Sequence, residues 1–302
     1  MIEKEKYFVI FNPAAGGGRL TKRVEKILKN LQPFGITVEL QKTKRRGDAI
    51  CLVKDAYSQG WRNFLAIGGD GTVFEVVNGL FPIAQKVGEK PTLGLIPIGT
   101  GNSFLKDFTP DGINDSTLAI AKGRRYPCDV VELIHQDGSL YFVNLLSFGF
   151  VAEVAAKRNK NYGNLGELGY VLSVIFETAR LHSYIFPMKV DSLEENRDPV
   201  IFISINNTRF TGGKMMMAPN ANPSDGRVDL IQVYPLGRIE LLRAFPKIFS
   251  GKHVDLPQVK MSQVQSIEFN FEHAVNVMVD GESLRLIPKH LRVLPNVLEI
   301  KA

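Results

Sequence analysis

The chain has 302 residues, 44% apolar and 23% charged, with lysine and arginine exceeding aspartate and glutamate by six. That composition excludes a disordered or fibrous chain and supplies core for two domains or one large one. The two cysteines, Cys51 and Cys128, and five ungrouped histidines exclude a disulfide framework and a zinc site with paired ligand spacing.

The start, "MIEKEKYFVIFNP", is charged and then strand-like, unlike a signal peptide. Residues 7–12 read as a strand ended by Pro13 and by Gly16, Gly17 and Gly18. A helix follows with Val24, Ile27, Leu28 and Leu31 on one face. Residues 36–43 alternate like a strand, and Asp48 is placed to cap a helix burying Ala49, Leu52, Val53 and Ala56. Strands at 64–67 and 91–97 complete an alternating pattern that predicts a largely parallel sheet covered on both faces.

The pattern changes near Tyr126. "CDVVELI", the turn "HQDGS" and "LYFVNLLSF" predict a β-hairpin through Asp137-Gly138. Residues 168–180 predict a helix, with Tyr170, Val171, Val174 and Ile175 at helical spacing. Beyond it, short strands are expected in "FPMKV", "PVIFISIN", "RVDLIQVYP", "SIEFNFE", "VNVMVDG" and "LRVLP", interrupted by a helical "RIELLRAFPKIF". The expected fold is α/β: a Rossmann-like three-layer nucleotide domain over residues 1–125, then a β-rich, sandwich-like domain over 126–302, with a cleft between them. The last residues have the option of packing back on the first domain.

Three glycine-rich loops fall at predicted carboxyl ends of parallel strands, where open α/β sheets bind ligands: "NPAAGGG", "GGDGT" and "GTGN". Such turns present backbone N–H groups to polyphosphate, and Thr72 and Thr100 add hydroxyls. A Walker motif is missing, and the glycine runs do not match the dinucleotide fingerprint. Asp70 sits inside the second loop, where a carboxylate repels phosphate unless a cation such as Mg²⁺ lies between them. Alternatively it fixes the turn by accepting backbone N–H bonds, and both roles are compatible.

"NPAAGG", "TKRRGDA", "GGDGTVFEVVNG", "PIGTGNSF", "APNANPSDGRVDL" and "VMVDGE" together resemble the diacylglycerol-kinase and sphingosine-kinase superfamily of lipid kinases, most closely its soluble bacterial branch. The resemblance implies ATP as co-substrate and Mg²⁺ as cofactor. It places Asn12, Pro13, Ala14, Ala15, Gly16, Thr43, Gly69, Asp70, Gly71, Thr72, Val73, Phe74, Glu75, Thr100 and Asn102 around the nucleotide. Asp70 would act through Mg²⁺ or its waters. Asp280, then Glu282, would take the proton of the lipid hydroxyl, although on spacing alone Asp280-Gly281 reads as a hairpin turn. Asp225, with backbone carbonyls of Asn222 and Arg227, would hold a second, structural Mg²⁺. Two positions depart from the family pattern: Ser103 stands where many bacterial members carry aspartate, with Asp107 farther along, and Phe74 replaces the usual asparagine.

The implied substrate is a lipid hydroxyl, of diacylglycerol or a sphingoid base. The expected partner is a membrane surface met from the cytoplasm, because runs such as "YVLSVIF" are too short to span a bilayer. Lys157, Arg158 and Lys160 are candidates for that contact. No nucleic-acid module is recognisable, and the resemblance leaves room for a homodimer. The alternatives are an NAD kinase, which shares GGDGT, and a catalytically silent nucleotide- or lipid-binding module.

Overall fold

The computed structural model describes residues 5–15, 21–98, 101–109, 116–161, 173 and 176–302. The chain divides into two compact units, one formed by residues up to Val130 together with Asn296–Ala302, the other by Val131–Pro295.

In the first unit β1 (Glu5–Phe11), α1 (Thr21–Leu31), β2 (Ile36–Lys42), α2 (Asp48–Ser58), β3 (Asn63–Gly68), α3 (Asp70–Leu80), α4 (Ile83–Val87), β4 (Thr92–Pro97) and α5 (Ser116–Lys122) follow in turn. The strands lie in the order β2-β1-β3-β4, all parallel. Five consecutive residues of β1, Tyr7 to Phe11, are buried, as both faces of a covered parallel sheet require. Tyr7, Val9 and Phe11 meet Val24, Leu28 and Leu31 of α1 and Ile120 of α5, so the spacing read from the sequence does become the buried stripe. Helices α2 and α3 pack on one another very closely. A Cβ at Gly79 would stand 2.7 Å from the Ile50 carbonyl oxygen and 2.8 Å from Val53 Cβ.

β5 (Tyr126–His135) leads from the first unit into the second, where β6 (Gly138–Phe142), β7 (Leu145–Gly149) and α6 (Phe150–Asn161) follow. The remaining strands are β8 (Tyr184–Ile185), β9 (Met188–Val190), β10 (Pro199–Val200), β11 (Phe202–Asn206), β12 (Phe210–Thr211), β13 (Met215–Met216) and β14 (Val228–Val233). After α7 (Arg238–Ala244) come β15 (Val259–Val264), β16 (Ser266–Phe269), β17 (Val275–Val279), β18 (Glu282–Leu286) and β19 (Pro288–Lys301). Six strands form an antiparallel sheet in the order β15-β14-β11-β7-β17-β18. A second antiparallel set joins β9, β16 and the start of β19, while β5 with β6, β8 with β10 and β12 with β13 make antiparallel pairs. The end of β19 belongs to the first unit: Glu299 to Lys301 pair in parallel with Thr92 to Gly94 of β4. Lys301, buried, is ion-paired with Glu5, which also meets Arg125 at 2.8 Å.

Several expectations need correction. The single strand read in "LYFVNLLSF" is two, β6 and β7, broken at Val143 and Asn144. Asp48 opens α2 but does not cap it: the N-cap is Gly47, and the Asp48 carboxylate turns back onto the preceding loop. Helix α6 and strands β15 and β18 were not legible. "FVAEVAA" continues the apolar run of β7, and β15 and β18 alternate polar residues over half-exposed positions. The helix expected over 168–180 lies mostly outside the described residues, with Ser173 and residues 176–178 helical.

Gly79→Ala should lower the unfolding free energy by about 1–3 kcal/mol, the cost of overpacking where backbone blocks relaxation. Urea titration should show a lower midpoint with an unchanged slope.

Candidate active site

In the first unit, three side chains near the start of α3 each fasten a different strand-end loop. Asn12, just past β1, donates its N–H to the Ile67 carbonyl at 3.1 Å and its Nδ2 to Thr72 Oγ1 at 3.3 Å. Its Oδ1 accepts the Ala14 N–H at 3.0 Å, which sets the Asn12-Pro13-Ala14-Ala15 turn. Thr43 donates its N–H to the Phe11 carbonyl at 3.0 Å, holding the loop after β2 beside the loop after β1.

Glu75 reaches across to that second loop. Its Oε1 accepts the Gly47 N–H at 2.8 Å and its Oε2 the Ala49 N–H at 3.2 Å. Two donors at the α2 amino terminus, normally satisfied by a local cap, are thus met from α3. Asp48 accepts the N–H groups of Lys44 and Arg45 at 2.8 and 3.1 Å, so the loop is pinned from both sides.

Asp70, the first residue of α3, governs the loop after β4. Its Oδ2 accepts the Ser103 N–H at 3.1 Å and its Oδ1 the Phe104 N–H at 3.4 Å. A Cβ at Gly101 would lie 3.0 Å from Asp70 Oδ2, so glycine is what lets this loop approach. Burial pushes the Asp70 carboxyl above the usual carboxylate range, opposed chiefly by the two N–H bonds. The hydrogen bonds therefore place Asp70 in its turn-fixing role. Asn102 beside it is buried and left-handed, at φ 49°. Gly69 caps α3, Gly71, Thr72 and Val73 lie in its first turn, and the carbonyl of Phe74, which follows them, accepts Asn78 Nδ2 at 2.8 Å. Gly16 and Thr100 lie outside the described residues, as do Gly17, Gly18 and Gly99.

In the second unit Asp280 occupies the turn between β17 and β18, left-handed at φ 48° and buried. Its Oδ2 accepts the Val143 N–H at 3.1 Å, and its Oδ1 accepts those of Asn144 and Leu145 at 3.0 and 2.9 Å. A carboxylate offers about four acceptor positions, and backbone donors take three of them here. This is why "LYFVNLLSF" breaks: donors that would continue a ladder point at a side chain instead. Glu282, half-buried on β18, lies opposite Val279.

Around this staple runs a buried polar network that the sequence reading missed. Asn207 donates its N–H to the Asn144 carbonyl at 2.8 Å and its Nδ2 to the Val143 carbonyl at 2.8 Å. Thr208 Oγ1 donates to Asn144 Oδ1 at 2.6 Å. Polar "NNT" after an apolar strand was the available signal.

Asp225 accepts the Arg227 N–H at 3.0 Å and Gln263 Nε2 at 3.3 Å, and Asn222 Oδ1 accepts the Ser224 N–H at 3.2 Å. The sequence reading also missed Asp229, which is 2% exposed and whose Oδ1 meets no hydrogen-bond partner among the described residues. Burial, then the Asp225 charge, pushes its carboxyl up to about 6. Among the described residues no group of three or more His, Cys, Asp or Glu side chains is arranged around a common metal position.

Comparison with known proteins agrees with this architecture. Residues 6–133 match the diacylglycerol kinase catalytic domain, and residues 144–302 match the YegS C-terminal NAD kinase beta sandwich-like domain. A diacylglycerol kinase of Mycobacterium tuberculosis (strain CDC 1551 / Oshkosh) is 27% identical over 98% of this chain and 94% of its own. One from Bacillus subtilis (strain 168) is 26% identical over 93% and 90%. A crystal structure from Bacillus anthracis str. Sterne, assigned as a diacylglycerol kinase, is 27% identical and overlays 100% of this chain and 98% of that one at a TM-score of 0.80. The α/β unit and the antiparallel β unit are those of a lipid kinase. The chain belongs to the diacylglycerol kinase family.

Asp280→Ala should cost about 2–4 kcal/mol, because three buried N–H groups lose their acceptor together. Glu282→Ala should cost less than about 1 kcal/mol. Parallel urea titrations of the two variants check the difference.

Proposed function

We propose that the chain transfers the γ-phosphoryl group of ATP to the hydroxyl of a lipid, diacylglycerol or a sphingoid-type base, with Mg²⁺ as the ion. The observation that carries this reading is the gathering of the loops after β1, β2 and β4 onto Asn12–Thr72, Glu75 and Asp70. Backbone N–H groups held at strand ends suit polyphosphate. In this reading the nucleotide is surrounded by Asn12, Pro13, Ala14, Ala15, Gly16, Thr43, the stretch from Gly69 to Glu75, Thr100 and Asn102.

The lipid hydroxyl oxygen attacks the γ-phosphorus, the bond to the bridging oxygen breaks, ADP leaves, and the hydroxyl proton passes to a carboxylate. Asp280 is the first candidate for that base and Glu282 the second. That the curated relatives are named diacylglycerol kinases favours a lipid over NAD as acceptor.

The carboxylates fit Mg²⁺, a hard cation that takes one or two acidic oxygens. Asp70 would hold the ion that accompanies the phosphates, directly or through water. Asp225 and the carbonyls of Asn222 and Arg227 would hold the structural one, with the unsatisfied Asp229 Oδ1 as a further oxygen donor. The nucleotide-side ion supplies neutralisation of charge during transfer.

With radiolabelled ATP and a total lipid extract, label should enter a lipid identifiable by mass spectrometry, and none should enter NAD. Label in NAD alone overturns the reading. Asp280→Asn should lower kcat by at least about a hundredfold, as loss of a general base does; near-normal turnover there with loss in Glu282→Gln moves the base to Glu282. Added Mg²⁺ should raise the melting temperature of the wild type and not of Asp225→Asn, because an ion that binds only the folded state stabilises it.

A further inference from the structure

The segment between β14 and β15 has two dissimilar sides. Leu241, Ala244, Phe245 and Ile248 recur at i, i+3, i+4 and i+7 and line an apolar cavity. Ile239, Leu242 and Phe249 instead stand in solvent, 66%, 42% and 45% exposed. The Phe249 ring meets Phe245 edge-on, with centroids 5.9 Å apart, which fixes one of these exposed side chains upon the inner layer. Arg238, Arg243, Lys247 and Lys252 are all exposed in the same stretch, against one carboxylate, Glu240, whose Oε2 accepts the Gly237 N–H at 2.8 Å.

Single exposed apolar residues need no explanation, but Ile239 and Leu242 stand one helical turn apart and, with Phe249, alternate along the segment with the four exposed cations, as in a helix that lies on a charged interface. Apolar side chains flanked by cations match the interface of an anionic bilayer, where each cation adds attraction and the apolar groups enter the acyl boundary. A second copy fits less well, since a two-fold interface sets a patch against itself and would bring two sets of four cations together.

We propose that residues 238–252 are the surface by which this protein docks on anionic phospholipid membranes. Ile239, Leu242 and Phe249 insert, and Arg238, Arg243, Lys247 and Lys252 meet the headgroups. The purpose of docking rests on the lipid-acceptor reading, but its measurement does not.

The test is co-sedimentation of the full chain, without nucleotide, with vesicles of phosphatidylcholine alone or mixed with phosphatidylglycerol. The wild type should pellet with the mixed vesicles and be partly released by salt. Arg243→Gln with Lys247→Gln should weaken partition about 25-fold, about fivefold per cation. Ile239→Ser with Leu242→Ser should abolish the binding that survives high salt. Both double variants should keep the wild-type urea midpoint and the wild-type activity on detergent-dispersed diacylglycerol. Vesicle binding equal to wild type in both double variants overturns the proposal. A dimer that Ile239→Ser with Leu242→Ser dissociates, with vesicle binding intact, also overturns it and assigns the patch to a second copy. Vesicle binding that depends on these residues, in a protein that phosphorylates no lipid in detergent, leaves the docking surface standing and removes the catalytic reading.

Discussion

The first unit depends on one constraint: the amino-terminal half of α3 must satisfy hydrogen-bond donors outside its own helix. Asp70, Thr72 and Glu75 project from less than two turns of helix. They hold the Ser103–Phe104 loop, the Asn12 turn and the Gly47–Ala49 loop respectively. The Asn12–Thr72 bond is worth about 1 kcal/mol net and those to the carboxylates about 1.5–3 kcal/mol. Their effect is geometric, because three otherwise independent loops acquire a common reference. A phosphate-binding loop gains little from having many N–H groups unless they are already oriented. The carboxylate at Asp70, which looks misplaced in a phosphate loop, is part of this orientation.

The second unit uses the same device once more. Asp280 gathers the donors of Val143, Asn144 and Leu145 and so ends β6 and starts β7. An antiparallel sheet would normally absorb those donors in its ladder. Redirecting them to a carboxylate lets the chain leave one sheet and enter another within two residues, and Asn207 and Thr208 complete the satisfaction of the break. Any proton-accepting role for Asp280 is thus built on a residue with structural duties, which is why stability and turnover have to be read separately.

Much of this was legible in the sequence because it rests on periodicity. The β1 to β4 alternation with α1, α2 and α3, and the short antiparallel strands beyond Tyr126, are properties of local pattern. What was not legible was set by distant partners. Nothing near Val143 announces that its strand will break, since the cause lies at Asp280. Nothing near Asp48 shows that Glu75 will take the cap. Asp229 was passed over because burial, which makes it unusual, is a property of the packed sheet. Glycine-rich turns, by contrast, carry their constraint in their own residues, and they fall in the loops that follow β1, β3 and β4.

The return of β19 to β4 has a consequence for how the molecule is made. Until Glu299 to Lys301 emerge, the ladder positions of Thr92 to Gly94 that they fill stand open. An unpaired edge is a template for association with other chains. Synthesis from the amino end therefore leaves this edge open while all of Val131–Pro295 is made, so the nascent first unit carries an unpaired strand until its last ladder closes.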